Sequence, residues 1–157
     1  MIRRVLLVCS GNTCRSPMAA ALMQHLWQKA NPGWELEVHS AGTSAMPGDV
    51  ASPHGVTAMR NRGLDLTAHR SRRVDDQAVA DVDLILTMTG RHKESILGRW
   101  SHLSGKVYTL GEYAGTDEEI ADPFGGTLQD YEKTAVALEA KLQAIIYRIR
   151  KEGAQAE

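Results

Sequence analysis

Short, wholly apolar runs alternate along this chain with longer stretches in which apolar residues recur every third or fourth position. Arg4–Cys9 is continuously apolar after its first residue, the pattern of a strand buried on both faces. Ser16 reads as a helix N-cap and Pro17 suits a first helical turn; Met18, Ala21, Leu22, Leu26 and Ala30 follow on one face. Asn31-Pro32-Gly33 predicts the stop. Residues 35–40 alternate as a second strand, followed by loops around Gly42 and Pro47. A short helix is predicted over 52–62, closed by Gly63, then an extended connector over 64–69 and a short helix over 74–80. Residues 83–88 and 106–110 are the third and fourth strands, with a helix over 90–98 between them. The stretch 111–126 is irregular. A last helix begins near Thr127 and keeps Ala135, Leu138, Leu142, Ile145, Ile146 and Ile149 on one face, leaving 152–157 as a frayed tail.

Strands alternating with helices predict a three-layer α/β fold, a parallel sheet with helices on both faces. The 157 residues suit one domain, spanning 1–157, with a single well-formed core. Ligands of such sheets bind outside the carboxyl ends of the strands. Cys9, Ser40, Met88 and the stretch after Leu110 all fall on that rim.

Charge and cysteine usage narrow the function classes. A net charge of −1 without a basic stripe argues against nucleic acid as a partner. No apolar run reaches membrane-spanning length and no leader is recognisable, so the expectation is a cytoplasmic protein without membrane contact. The two cysteines, Cys9 and Cys14, share one short stretch, which fits a reducing compartment. Six histidines lack the spacing of a metal site, so neither metal nor other cofactor is expected.

The chemistry concentrates in Cys9-Ser10-Gly11-Asn12-Thr13-Cys14-Arg15-Ser16-Pro17, between the first strand and the first helix. Five residues between Cys9 and Arg15 allow one tight loop with inward N–H groups, and Gly11 and Asn12 tolerate the left-handed backbone it needs. Inward amides beside a helix N-terminus cradle an oxyanion, and Arg15 adds a planar, permanently charged fork. Such a field favours thiolate over thiol, so the same cradle arms Cys9 as a nucleophile. Either residue alone would read as packing or as a turn; the joint pattern reads as a site.

This motif resembles the phosphate loop of the low-molecular-weight protein tyrosine phosphatase family, and the resemblance extends over nearly the whole chain. It implies a four-stranded parallel sheet in the order 2-1-3-4. It implies a thiolate nucleophile at Cys9, phosphoryl oxygens held by Arg15 and by the loop from Ser10 to Cys14, and a cysteinyl-phosphate intermediate. The general acid is Asp122 in Asp122-Pro123-Phe124-Gly125, which matches the family's acid loop; on its own Asp-Pro is a turn signal, and Asp117, Glu118 and Glu119 lie nearby. The resemblance also implies a supporting network of Asn12, Ser16, Ser40 and His69, although His69 beside Arg70, Arg72 and Arg73 equally reads as a surface histidine. Cys14 is either a packing residue or a partner that protects Cys9 as a reversible disulfide.

Thr13 bears on the substrate. Tyrosine-directed relatives carry a bulky aliphatic residue there; Thr13 with Phe124 in the acid loop resembles the protein arginine phosphatase branch. A planar guanidinium, rich in donors, suits a hydroxyl and a carboxylate better than a hydrocarbon wall. The expected function is therefore hydrolysis of phosphoarginine in protein substrates by a monomeric enzyme. The alternatives are a phosphotyrosine phosphatase and, from another class, a non-catalytic phosphoprotein-binding module. An arsenate reductase would need relay cysteines outside the loop, and a nucleotide-binding loop would need a Gly-Lys-Ser/Thr ending; the chain has neither.

Overall fold

The computed structural model describes residues 1–30 and 32–156. Asn31, within the predicted helix stop, and Glu157, at the end of the expected frayed tail, lie outside the described residues.

The first strand, β1 (Arg4–Cys9), is the hinge of the architecture. Val5, Leu6, Leu7 and Val8 are fully buried, and their alternation sends them to two separate cores. Val5, Leu7 and Cys9 face the larger core, shared with α1 (Arg15–Ala30), α2 (Pro53–Arg60) and α6 (Leu128–Ala156). Leu6 and Val8 face the smaller one, built from α3 (Asp76–Val79), α4 (Gly90–Arg99), Trp100 and Leu103.

The sheet has four parallel strands in the order β2-β1-β3-β4, with β2 spanning Glu37–Gly42, β3 Leu84–Thr87 and β4 Val107–Thr109. That is the order the family resemblance implied. Register places Cys9 opposite Gly42, so Cys9 leaves the sheet beside the end of β2. The predicted face of α6 is buried throughout, from Ala135 to Ile149.

Local boundaries differ where side chains have other partners. Helix α1 begins at Arg15, and Ser16 lies inside it, its hydroxyl engaged by Asn12 and Cys9 rather than capping. Strand β2 runs to Gly42 because pairing with β1 continues two residues beyond the alternating stretch. Leu110 opens a helical turn, α5 (Leu110–Tyr113), instead of ending β4. Thr109 and Glu112 form a reciprocal capping box there, a signal readable as Thr-x-x-Glu. A single 3-10 turn, Ser101–Leu103, follows α4. The expected frayed tail is helical as far as Ala156: Glu152 accepts bonds from Tyr113 and Arg148, and Gly153 packs on Trp34.

Candidate active site

The loop from Cys9 to Arg15 is shaped by a residue beneath it. Asn12 is fully buried and holds a left-handed φ of 57°, the conformation that turns the chain back under Cys9. Every polar group of Asn12 is used. Its N–H points at Cys9 Sγ (3.3 Å), and its carbonyl accepts from His69 Nε2 (2.7 Å), which fixes the proton on that nitrogen. Its side-chain amide donates to Ser16 Oγ (2.8 Å) and Ser40 Oγ (3.0 Å), while Oδ1 accepts the Arg72 N–H (2.9 Å). Asn12 therefore braces the loop from below rather than lining the cleft.

Cys9 is 2% exposed and its sulfur lies 3.0 Å from Ser16 Oγ. Ser16 Oγ accepts from Asn12, and its own proton has two acceptors in reach, the sulfur at 3.0 Å and the Ala41 carbonyl at 3.5 Å, of which the sulfur is the nearer. A backbone N–H and a hydroxyl thus converge on Sγ, an arrangement that stabilises negative charge there.

Arg15 is 5% exposed and is held from the acid loop: its guanidinium donates to the Ile120 carbonyl at 3.0 Å and lies 3.6 Å from Asp122 Oδ2. Asp122 is half exposed, and its Oδ1 accepts the Phe124 N–H at 3.1 Å, an Asx turn that sets the loop's geometry. Cys9, Ser10, Gly11, Thr13, Cys14, Arg15, Ser44, Asp122 and Phe124 enclose a cleft of about 250 Å³ at the carboxyl rim of the sheet. Larger grooves exist, among them one by Trp34 and Arg150, but that groove gathers no nucleophile and no acid beside one.

All the residues singled out from the sequence are therefore gathered at one end of the molecule. Cys9, Arg15 and Asp122 meet at the cleft; Thr13 and the exposed Phe124 flank it; Asn12, Ser16, Ser40 and His69 form one hydrogen-bonded layer beneath. Cys14 is engaged on its far side. Its sulfur lies 2.9 Å from Ser52 Oγ and 3.3 Å from Tyr131 Oη, and both cysteines are free. Burial, with the contact to Cys14, pushes Tyr131 up to about 12, so it stays a neutral phenol.

Ser44 in the cleft lining, and Ser52, Tyr131 and His92 around it, escaped the sequence reading. Tyr131 belongs to the helical pattern and carries no local signal. His92 had one, since it follows a strand end on the functional rim. Its Nε2 lies 2.8 Å from Ser10 Oγ, and burial followed by the charge of Arg15 lowers it to about 4. Among the described residues, no group of three or more His, Cys, Asp or Glu side chains is placed to hold a metal ion, and no helix is long and apolar enough to cross a membrane.

Residues 4–155 match the family model for low molecular weight phosphotyrosine protein phosphatase. A protein-arginine-phosphatase from Geobacillus stearothermophilus is 39% identical over 150 residues, covering 95% of this chain and 97% of the relative. A probable low molecular weight protein-tyrosine-phosphatase, EpsP, from Ralstonia nicotianae is 38% identical over 153 residues, covering 98% of this chain and all of the relative. The solved YwlE arginine phosphatase from Geobacillus stearothermophilus superposes with a TM-score of 0.90 at 36% identity, covering 99% of this chain and 97% of the other.

Proposed function

The chain belongs to the low molecular weight phosphotyrosine protein phosphatase family, and on that premise we propose that it hydrolyses phosphoarginine in proteins through a cysteinyl-phosphate intermediate. The observation that carries the arginine reading is the cleft wall. Thr13 lines the same cleft as Asp122 and the exposed Phe124. A hydroxyl and a carboxylate can each accept guanidinium N–H bonds, and an aromatic face can stack on the guanidinium plane.

Chemistry proceeds in two displacements. Cys9 Sγ attacks phosphorus in line; the S–P bond forms as the P–N bond to the substrate guanidino nitrogen breaks. Asp122 gives its proton to that nitrogen, and the arginine side chain leaves as a guanidinium cation. Asp122 then takes a proton from water, whose oxygen attacks phosphorus; the S–P bond breaks and inorganic phosphate departs. Arg15 and the loop amides hold the equatorial oxygens throughout and stabilise the charge that develops on them. Ser16 and the Asn12 N–H receive the sulfur each time it leaves.

The phosphotyrosine reading is favoured by one observation, the 38% identity to a probable tyrosine phosphatase over the whole of that relative. The two readings part at Thr13. Wild type should dephosphorylate phosphoarginine protein faster than phosphotyrosine protein, and Thr13→Ile should shift the preference toward phosphotyrosine. Equal preference in both enzymes refutes the arginine reading. A single domain over 1–157, acting as a monomer in the cytoplasm, completes the proposal; two free cysteines in the site support a reducing compartment.

A further inference from the structure

The two displacements leave His92, a buried titratable group at the rim, without a task. His92 is 5% exposed and sits in the first turn of α4, its ring between Thr89 and Ser10. The parity of β1 explains the meeting. Cys9 faces the α1 side of the sheet, so the next residue, Ser10, turns toward α4.

Thr89 Oγ1 accepts the His92 backbone N–H as the cap of α4 and lies 3.1 Å from His92 Nδ1, while Nε2 lies 2.8 Å from Ser10 Oγ. A hydroxyl can donate to Nδ1 or accept from it, so two tautomers satisfy these contacts. In the one where the Thr89 proton goes to Nδ1, the ring proton lies on Nε2 and is donated to Ser10 Oγ. Having accepted that bond, Ser10 keeps a free hydroxyl proton. Ser10 lines the same cleft as Cys9 and Arg15, and its hydroxyl has no other partner among the described residues.

We propose that the Ser10 hydroxyl is a further donor to the phosphoryl group and that His92 is the positioning residue that aims it into the cleft. The inference rests on the phosphatase reading of that cleft. The role requires a neutral ring with one donor and one acceptor. The charges facing His92 are Arg15 from the loop, Asp122 and Glu119 from the acid loop, and Arg91 from its own helix. The connection that carries His92 also grips the acid loop. Ile120 N–H donates to Met88 O at 3.1 Å, and Gly90 N–H to Glu119 Oε2 at 2.6 Å. One short turn thus sets the places of the hydroxyl donor and of the general acid.

A double-substitution cycle tests this, with kcat and KM for a chromogenic aryl phosphate and the affinity for inorganic phosphate as readouts. Ser10→Ala should lower kcat/KM and phosphate affinity about tenfold, the worth of one hydrogen bond to a charged group. His92→Leu should cost a similar factor in the presence of the Ser10 hydroxyl but less than about twofold in the Ser10→Ala background. His92→Gln, which can still offer an N–H, should recover part of the loss. Ring nitrogen chemical shifts of the wild type should report a neutral imidazole protonated on Nε2. Independent losses in the double variant, unchanged phosphate affinity in Ser10→Ala, or an Nδ1-protonated ring each overturn the assignment. The phosphate affinities and the nitrogen shifts decide it even where His92→Leu does not fold. Aryl phosphate turnover abolished by Cys9→Ser but indifferent to Ser10→Ala removes this proposal and leaves the phosphatase reading standing; a wild type without turnover removes that reading instead.

Discussion

Gly42→Ala should disable the loop while leaving every residue of the cleft in the sequence. Gly42 ends β2 opposite Cys9, and a Cβ built there would lie 2.3 Å from the Ser10 carbonyl oxygen, 2.9 Å from Ala45 Cβ and 3.0 Å from the Asn12 nitrogen. The closest of these is about 0.7 Å inside the 3.0 Å that real Cβ contacts respect. Neither side can yield freely. Gly42 is tied through its N–H to Arg72 O and through its carbonyl to Val74 N–H; the Cys9 and Ser10 carbonyls are tied to the N–H groups of Thr43 and Ser44. The strain falls on the loop backbone, and overpacking of this kind costs roughly 1–3 kcal/mol. In a chain of this size that lowers Tm by about 2–12 °C. Activity should suffer more, because displacing the amides that hold the phosphoryl oxygens by on the order of 1 Å costs about a hundredfold. Thermal denaturation and aryl phosphate kinetics measure the two effects separately. A variant whose Tm lies within about 1 °C of wild type and whose kcat/KM lies within about threefold refutes the packing reasoning.

Other perturbations give distinct signatures. Asp122→Ala should lower kcat by about 10²–10⁴ with little change in the affinity for inorganic phosphate, since it removes proton transfer and leaves the Arg15 cradle intact; an equal loss in both would place Asp122 in binding instead. His92 lies at about 4 in the folded protein, against roughly 6.5 for an unfolded histidine. Between those values only the unfolded chain takes up the proton. Stability should therefore fall as pH drops from about 6.5 to about 4, by on the order of 3 kcal/mol, and His92→Leu should flatten that slope; parallel wild-type and variant curves in denaturant titrations contradict it. Removing 152–157 should cost about 1–2 kcal/mol, because the Tyr113–Glu152 bond and the packing of Gly153 on Trp34 go with it; an unchanged denaturation midpoint would return that segment to the status of a tail.

What the sequence disclosed depended on the range of the interaction. The four strands, the long apolar face of α6 and the Cys9–Arg15 loop are written in local spacing, and all were legible. Sheet order came from the family resemblance, since alternation alone does not say which strands are neighbours. Ser16 misled because a serine before a proline reads as a cap, whereas its hydroxyl is claimed by Asn12 and Cys9. The end of the chain misled for a similar reason: Trp34, which packs on Gly153, is far away in sequence. Thr109 and Glu112 spell out their capping box locally, but the apolar run through Leu110 reads as strand and masks it. His92 could have been flagged by its place after a rim strand, yet its partner Ser10 sits 82 positions away, and only the fold brings them together.

The buried Asn12 has a consequence for how the site comes into being. Its hydrogen bonds reach Cys9, Ser16, Ser40, His69 and Arg72, contributed by the first strand and helix, the second strand and the connector beyond α2. No subset of these segments satisfies it, so the loop has no reason to take shape until all of them have docked. Catalytic competence is then a late event in folding and an early casualty of unfolding. The slowest-exchanging amides of the loop should open only with the whole domain, which makes the recovery of activity a measure of complete folding.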